Sequence, residues 1–380
     1  MLPIVLSLLL ADQTPELRAF RDTASRMYEM TAEEEGRYEG ASRKHLALAR
    51  GFESSLRDWV EPQLPPPSAT NERCSRISGD LRHRLQGAGI AGPNRESPAV
   101  QLEISRPAEY PATLLLRIGI SIPYGVDEAA YLYEWRRGSW KRVFASERNQ
   151  DDFGQSINEL AFSPASPHED HLIFTLQEPV SSAGCLPGVR YQLQRIGAKI
   201  DHTVSLLEGL AVMDICDHGH SLKMESNGFL LEFEGAALEA GFRRTHVLHY
   251  KVNGTAALRV SPVALQAQDF VHEWLERSWE EAENWSESVA RGSLYDAHEE
   301  LRNAEGYVNG EYVFVQHCQD PGRWQVAVDF KEYGTQYFLV REGAQYEFQM
   351  LDVSADRQEG CPGESFRTDE MPTFFGPKAH

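Results

Sequence analysis

The sequence predicts an α+β chain of mostly antiparallel strands: an N-terminal helical segment, a central β-sandwich-like or curled-sheet body, and a C-terminal helix leading into a four-stranded meander. Three observations carry that expectation. Apolar residues recur with a period of about 3.6 up to residue 91 and with a period of 2 beyond Pro98. The pairs Arg137-Gly138, Asn227-Gly228 and Asn253-Gly254 stand between alternating runs, where hairpin turns need residues that accept positive φ. No helical segment of βαβ spacing separates the strands of the body, so its sheets should be antiparallel. The organisation that follows is a leader over residues 1–11, helices over 12–91, an antiparallel domain over 98–262, a helix and meander over 263–360, and a tail over 361–380.

In the helical front end, Thr14-Pro15-Glu16 is a helix start, with a capping hydroxyl, proline at the first helical position and an acid in the first turn. Leu17, Phe20, Ala24 and Met27 form its apolar stripe. Thr31 with Glu34 reads as a capping box opening a long second helix, whose stripe is Tyr38, Ala41, His45, Leu48, Phe52, Leu56 and Trp59. Pro65-Pro66-Pro67 is a stiff spacer, and Cys74, Ile77, Leu81 and Leu85 mark a third helix. Gly87-Ala88-Gly89-Ile90-Ala91-Gly92 fits the G-x-G-x-x-G pattern. A dinucleotide site needs a strand before that loop and a helix after it. Here a helix precedes it and Pro93-Asn94 follows, so it is read as a helix stop and linker.

The body contains alternating runs at Val100–Ile104 and Leu114–Ile122, a hairpin from Tyr131 to Phe144, and strands near 171–177 and 189–195. Leu206–Ile215 is apolar enough for a buried strand. In the tail, Asp269–Trp285 reads as one amphipathic helix, with Trp274, Trp279 and Trp285 anchoring it. Strands follow at 311–317, 323–330, 335–342 and 345–352, with Gly334 and Gly343 at two turns. A helix leading into a curved four-stranded sheet is similar in outline to nuclear-transport-factor-2-like cones. That resemblance covers residues 265–352, rests on no diagnostic motif, and brings no function with it.

A formal charge of −20 over 380 residues argues against nucleic-acid or anionic-membrane partners, which require clustered Lys and Arg. The acidity is uneven: residues 265–310 hold 11 acids and 3 bases, whereas residues 12–91 hold 13 and 12. The local excess is read as a solvated helix face rather than a cation store. Met1–Ala11, MLPIVLSLLLA, has the length of a signal-peptide core and ends in a small residue, though it lacks a basic n-region. Export to the periplasm or the exterior is the expectation, with no integral membrane segment after it. In an oxidising compartment the five cysteines would give two bridges and one thiol. The preferred pairs are Cys318–Cys361 and Cys185–Cys216, each flanking a run of strands, with Cys74 left on a helix.

The densest set of potential ligands is Asp214, Cys216, Asp217, His218 and His220, at a strand end and the turn after it. Asp214, His218 and His220 are the candidate metal ligands, with His246 or His249 as helpers, although the spacing matches no established metal motif. Gly219-His220-Ser221-Leu222-Lys223 approaches the nucleophile elbow G-x-S-x-G, but Lys223 replaces the second glycine and a strand follows. Asn253-Gly254-Thr255 and Asn284-Trp285-Ser286 fit the glycosylation sequon. The leading expectation is an exported, non-enzymatic binding or envelope/interaction module with a protein or glycan partner and no cofactor. The alternatives are a divalent-metal-dependent hydrolase at Asp214/His218/His220 and a glycan-binding module using exposed aromatics.

Overall fold

A computed structural model of the chain describes residues 14–34, 41–90, 100–146, 154–166, 170–180, 188–197, 203–213, 219–236, 243–302, 310–330, 333–361 and 365–366. The leader over 1–11, Tyr38, Cys185 and Cys216 lie outside them. The chain divides into two units. The first runs to Ala211 and takes in Met224–Asn227, and the second comprises Val212–Lys223 and the residues from Gly228 onward.

Helix α1, Pro15–Glu34, opens as its sequence requires: the Thr14 hydroxyl accepts from the Leu17 N–H. Its Leu17, Phe20, Ala24 and Met27 are buried. The Thr31/Glu34 capping box does not form. The Thr31 hydroxyl donates to the Met27 carbonyl within α1, and the Glu34 carboxylate accepts from the Ser42 N–H and from His45 Nδ1. Ser42 is the true cap of α2, Arg43–Val60, and accepts from the His45 N–H at 3.2 Å. Sequence spacing found a cap three residues before an acid, but that acid was committed to the next helix. Helix α3, Asn71–Gly87, buries Cys74, Ser78, Leu81 and Leu85. It ends in a turn at Gly89 with φ +81°, as a helix stop rather than a phosphate loop does.

Strands β1 (Val100–Ser105), β2 (Thr113–Ile122), β3 (Gly125–Arg136) and β4 (Ser139–Ala145) form a sheet in that order, all antiparallel. The period-2 pattern sets its two faces. Leu102, Ile104, Leu114, Leu116, Ile118 and Ile120 pack under the helices, while Leu115, Ala130 and Leu132 face Ile157, Ile173 and Ile196 of a second sheet. That sheet is β5 (Gly154–Phe162), β6 (Asp170–Val180), β7 (Gly188–Gly197) and β8 (Val204–Val212), again in order. The first unit is therefore a helical layer on a two-sheet sandwich. The expected buried strand at Leu206–Ile215 is instead the sheet edge: Leu206 is buried, but Leu210 is 76% exposed and Val212 is also exposed. Apolar content alone cannot tell an edge strand from a central one.

A third antiparallel sheet, which lies in the second unit except for the end of β9, is formed by β9 (His220–Glu225), β10 (Gly228–Ala236), β11 (Arg243–Asn253) and β12 (Ala256–Arg259). Both expected hairpins are present with different turns. Gly254 has φ +63° and Thr255 does not share it, the pattern of a type II′ turn. Ser226-Asn227 makes the other turn, and Gly228 lies in β10, where a Cβ would sit 2.0 Å from the Tyr250 carbonyl oxygen. Close approach, not positive φ, demands that glycine. The single helix expected over Asp269–Trp285 is broken. Helix α4, Ala267–Glu276, ends where Arg277 and Ser278 turn extended, and α5, Trp279–Ala282, restarts on the Ser278 carbonyl. On a continuous helix Trp279 would point about 140° away from Trp274. The break brings their rings to 6.4 Å.

Helix α6, Arg291–Arg302, follows, and then the meander as read: β13 (Glu311–His317), β14 (Arg323–Phe330), β15 (Gly334–Glu342) and β16 (Phe348–Ser354). A two-residue strand, β17 (Ser365–Phe366), adds to the free side of β13. Phe270, Trp274, Leu275 and Trp285 pack with Val326, Phe338, Val340 and Met350 in one core. Cys318 and Cys361 are bridged, and Cys74 is a buried thiol on α3. Among the described residues no helix is long and apolar enough to cross a membrane.

Candidate functional site

Of the residues singled out as metal ligands, Asp214 and His218 lie outside the described residues, and His220 is half-buried at the start of β9. The helper histidines do not converge. His246 and His249 are three apart on β11, which puts them on opposite faces of the sheet. His246 stacks on its register partner Phe233 at 4.9 Å, whereas His249 Nδ1 binds the Ser261 carbonyl oxygen at 2.6 Å.

The concentration of ionisable groups lies elsewhere, between α4 and the face of β11–β12 that carries Arg244, His246, Tyr250 and Arg259. Glu273 of α4 is fully buried and accepts from three guanidinium groups. Arg244 Nη2 binds one of its oxygens at 2.9 Å, and Arg259 Nη2 and Arg277 Nε bind the other at 2.7 and 2.8 Å. Arg244 Nη2 also reaches Glu276 at 3.2 Å, and its Nη1 donates to the Asp269 carbonyl. Arg259 lies 5.5 Å over the Tyr250 ring. The acid excess of residues 265–310 is thus not wholly a solvated face: Asp269 and Glu273 are buried, while Glu276 and Glu280 are exposed.

Burial alone would raise the Glu273 carboxyl, but Arg259, Arg244 and Arg277 outweigh it and hold that group well below the usual range. Asp269 lacks such a ring of cations. Burial pushes it up to about 7, with Glu234 and Glu273 adding to the rise and Arg244 opposing it. His272 is drawn down to about 2 by burial, reinforced by Arg244 and His246. At mildly acidic pH a protonated Asp269, a neutral His272 and an ionised Glu273 therefore share one helix.

His246, Glu273 and Glu276 bring three potential ligand atoms within 4.8 Å of one another. The Arg244 guanidinium already bonds both carboxylates, filling with a fixed positive charge the place a cation would take. The arrangement works as an ionic bolt joining helix to sheet. Its sequence signal was present but unread. Asp269, Glu273 and Arg277 share the stripe that carries Phe270 and Trp274, and Arg244 has the same parity on β11 as apolar Leu248.

The first unit also buries polar pairs. His45 with Glu34 joins α1 to α2, and Glu53 with the Tyr131 hydroxyl joins α2 to β3. A surface depression of about 440 Å³ beside β1 is lined by Arg82, Gln101, Glu103, Arg117, Gly119 and Glu128. There Arg117 is paired with Glu128 and donates to the Ile157 carbonyl at 3.1 Å. Compared with known protein families and with characterised proteins, the sequence matches none.

Proposed function

We propose that this chain is an exported, non-enzymatic binding or envelope/interaction protein whose antiparallel sheets form both scaffold and contact surface. The observation that carries this reading is the commitment of one interior carboxylate, Glu273, to three arginines. The carboxylate of Glu273 spends its acceptor capacity on Arg244, Arg259 and Arg277. Such a group supports an element rather than a reaction. The Cys318–Cys361 bridge supports export, because disulfides persist in oxidising compartments.

The test uses purified full-length protein. Elemental analysis should find no stoichiometric zinc, manganese or calcium, and a panel of ester, phosphoester, peptide and glycoside substrates should show no turnover. Turnover that disappears in Asp214→Asn, His218→Gln or His220→Gln would overturn the reading in favour of the metal-dependent hydrolase. Fractionation of the producing cell should place the protein outside the cytoplasm with Cys318 and Cys361 oxidised; a reduced, cytoplasmic pool would overturn export.

A glycan partner is the second reading, supported by the β3–β4 hairpin. Trp135 is 40% exposed there and lies edge-on to Trp140 at 5.3 Å. Titration with polysaccharides should shift tryptophan fluorescence in the wild type and less in Trp135→Ala. No shift with any polysaccharide would exclude it.

A further inference from the structure

The Cys318–Cys361 bridge ties together positions 43 apart in sequence, and the chain that it holds down has an unusual underside. Beneath the last described segment lie Gln316 of β13 and Gln325 of β14, both fully buried, with Gln316 Nε2 donating to Gln325 Oε1 at 3.1 Å. Buried glutamines need partners, and the segment supplies them to Gln316, while Gln325 Nε2 stays unpartnered. Gln316 Nε2 also donates to the Cys361 carbonyl, and Arg357 donates to Gln316 Oε1 at 2.7 Å while lying 5.0 Å over the Phe314 ring. The Gln319 N–H donates to the Gly360 carbonyl at 2.9 Å. Past the bridge, Ser365 and Phe366 pair antiparallel with Val315 and Gln316.

Among the described side chains of residues 355–361, hydrophobic anchoring is missing. Residues 355–360 are exposed or half-buried, and Cys361 is the buried residue of the stretch. Each remaining contact among the described residues is a hydrogen bond or an exposed cation–π contact that water can replace at small net cost, roughly 0.5–1.5 kcal/mol for a typical hydrogen bond. The glutamines beneath gain hydration when uncovered. The disulfide is then the part of the attachment that solvent cannot compete with.

We propose that Cys318–Cys361 is a redox-controlled latch: a dithiol reductant releases residues 355–361 and the paired Ser365–Phe366 from the meander and exposes the backbone of Val315 and Gln316 on the free side of β13. One thiolate of the reductant attacks a bridge sulfur, forming a mixed disulfide and expelling the other cysteine as thiolate. The second reductant thiol then closes on the mixed disulfide and expels the remaining cysteine. The two cysteine sulfurs gain two electrons and two protons, and the reductant becomes a cyclic disulfide. The opened edge carries unpaired backbone groups of the kind that accept an extended strand.

Hydrogen–deuterium exchange with mass spectrometry on the full chain tests the latch. Reduction should raise exchange at least tenfold in peptides covering 355–366 and at the Gln319 amide, which the Gly360 carbonyl holds, while β13 and residues 323–342 keep the protection of their own pairing. Cys318→Ser/Cys361→Ser should reproduce the reduced pattern without reductant, which separates this bridge from any effect at Cys185 or Cys216. Limited proteolysis should cut within 355–366 only after reduction or in that variant. Unchanged exchange in protein shown by mass to be reduced would overturn the proposal, because the hydrogen bonds would suffice. Loss of protection throughout β13–β16 would overturn it too, because the bridge would then staple the whole sheet.

Discussion

Asp269→Asn should tilt the pH dependence of stability by an amount that the burial of one helix fixes. In the wild type two neighbours on α4 titrate in opposite senses. Asp269 is raised to about 7 in the folded chain, against about 3.9 when unfolded. Between about pH 4 and 7 the native state keeps a proton that the unfolded state has lost, so stability falls as pH rises, by about 1.4 kcal/mol per pH unit. His272 is lowered to about 2, against about 6.5 unfolded. Between about pH 2 and 6.5 the unfolded state holds a proton that the native imidazole does not, so stability falls as pH falls, with the same slope. From about pH 4.5 to 6 the two contributions cancel. Asp269→Asn removes the first and exposes the second: relative to wild type, the variant should gain about 2 kcal/mol across that interval. His272→Asn should show the opposite tilt. Urea unfolding at three pH values, read by amide exchange in peptides from residues 243–276, follows this region directly. A stability difference between variant and wild type that stays constant from pH 4.5 to 6 would refute the reasoning.

Glu273→Ala should cost about 3–5 kcal/mol, because it strands Arg244 and Arg259 in the interior, and urea unfolding measures it. A loss below about 1 kcal/mol would mean that water reaches those guanidiniums. Gly228→Ala should destabilise by about 1–3 kcal/mol, since its Cβ would meet the Tyr250 carbonyl at 2.0 Å and force β10 from β11; thermal unfolding reports it. Glu34→Ala should cost about 1–3 kcal/mol by removing the acceptor shared by the Ser42 N–H and His45, with α1 and α2 losing exchange protection together.

Much of the architecture was legible in one dimension. The change of period near Pro98 separates three helices from the strands, because each element buries one face and repeats its apolar residues at its own pitch. The meander strands after residue 311, the hairpin at Arg137-Gly138 and the Cys318–Cys361 pair were read from spacing alone. Glycine at the Asn253-Gly254 turn was found for nearly the right reason, and Gly228 for the wrong one, since its need comes from a neighbouring strand.

The candidate site was not legible in the same way. A ligand-rich turn is visible as a cluster in sequence, whereas the observed cluster draws on β11, β12 and α4 with its cap, and Arg244 and Arg277 stand 33 positions apart. By itself the sequence determined the kinds of element, their order and the turns between them, since periodicity and turn chemistry are local. Only the tertiary structure decided that Glu273 is an interior ion, that Leu206–Val212 is an edge, and that the helix breaks at Arg277. Each depends on which distant strand or ring supplies the partner, and burying a charge is tolerable only once that partner is in place.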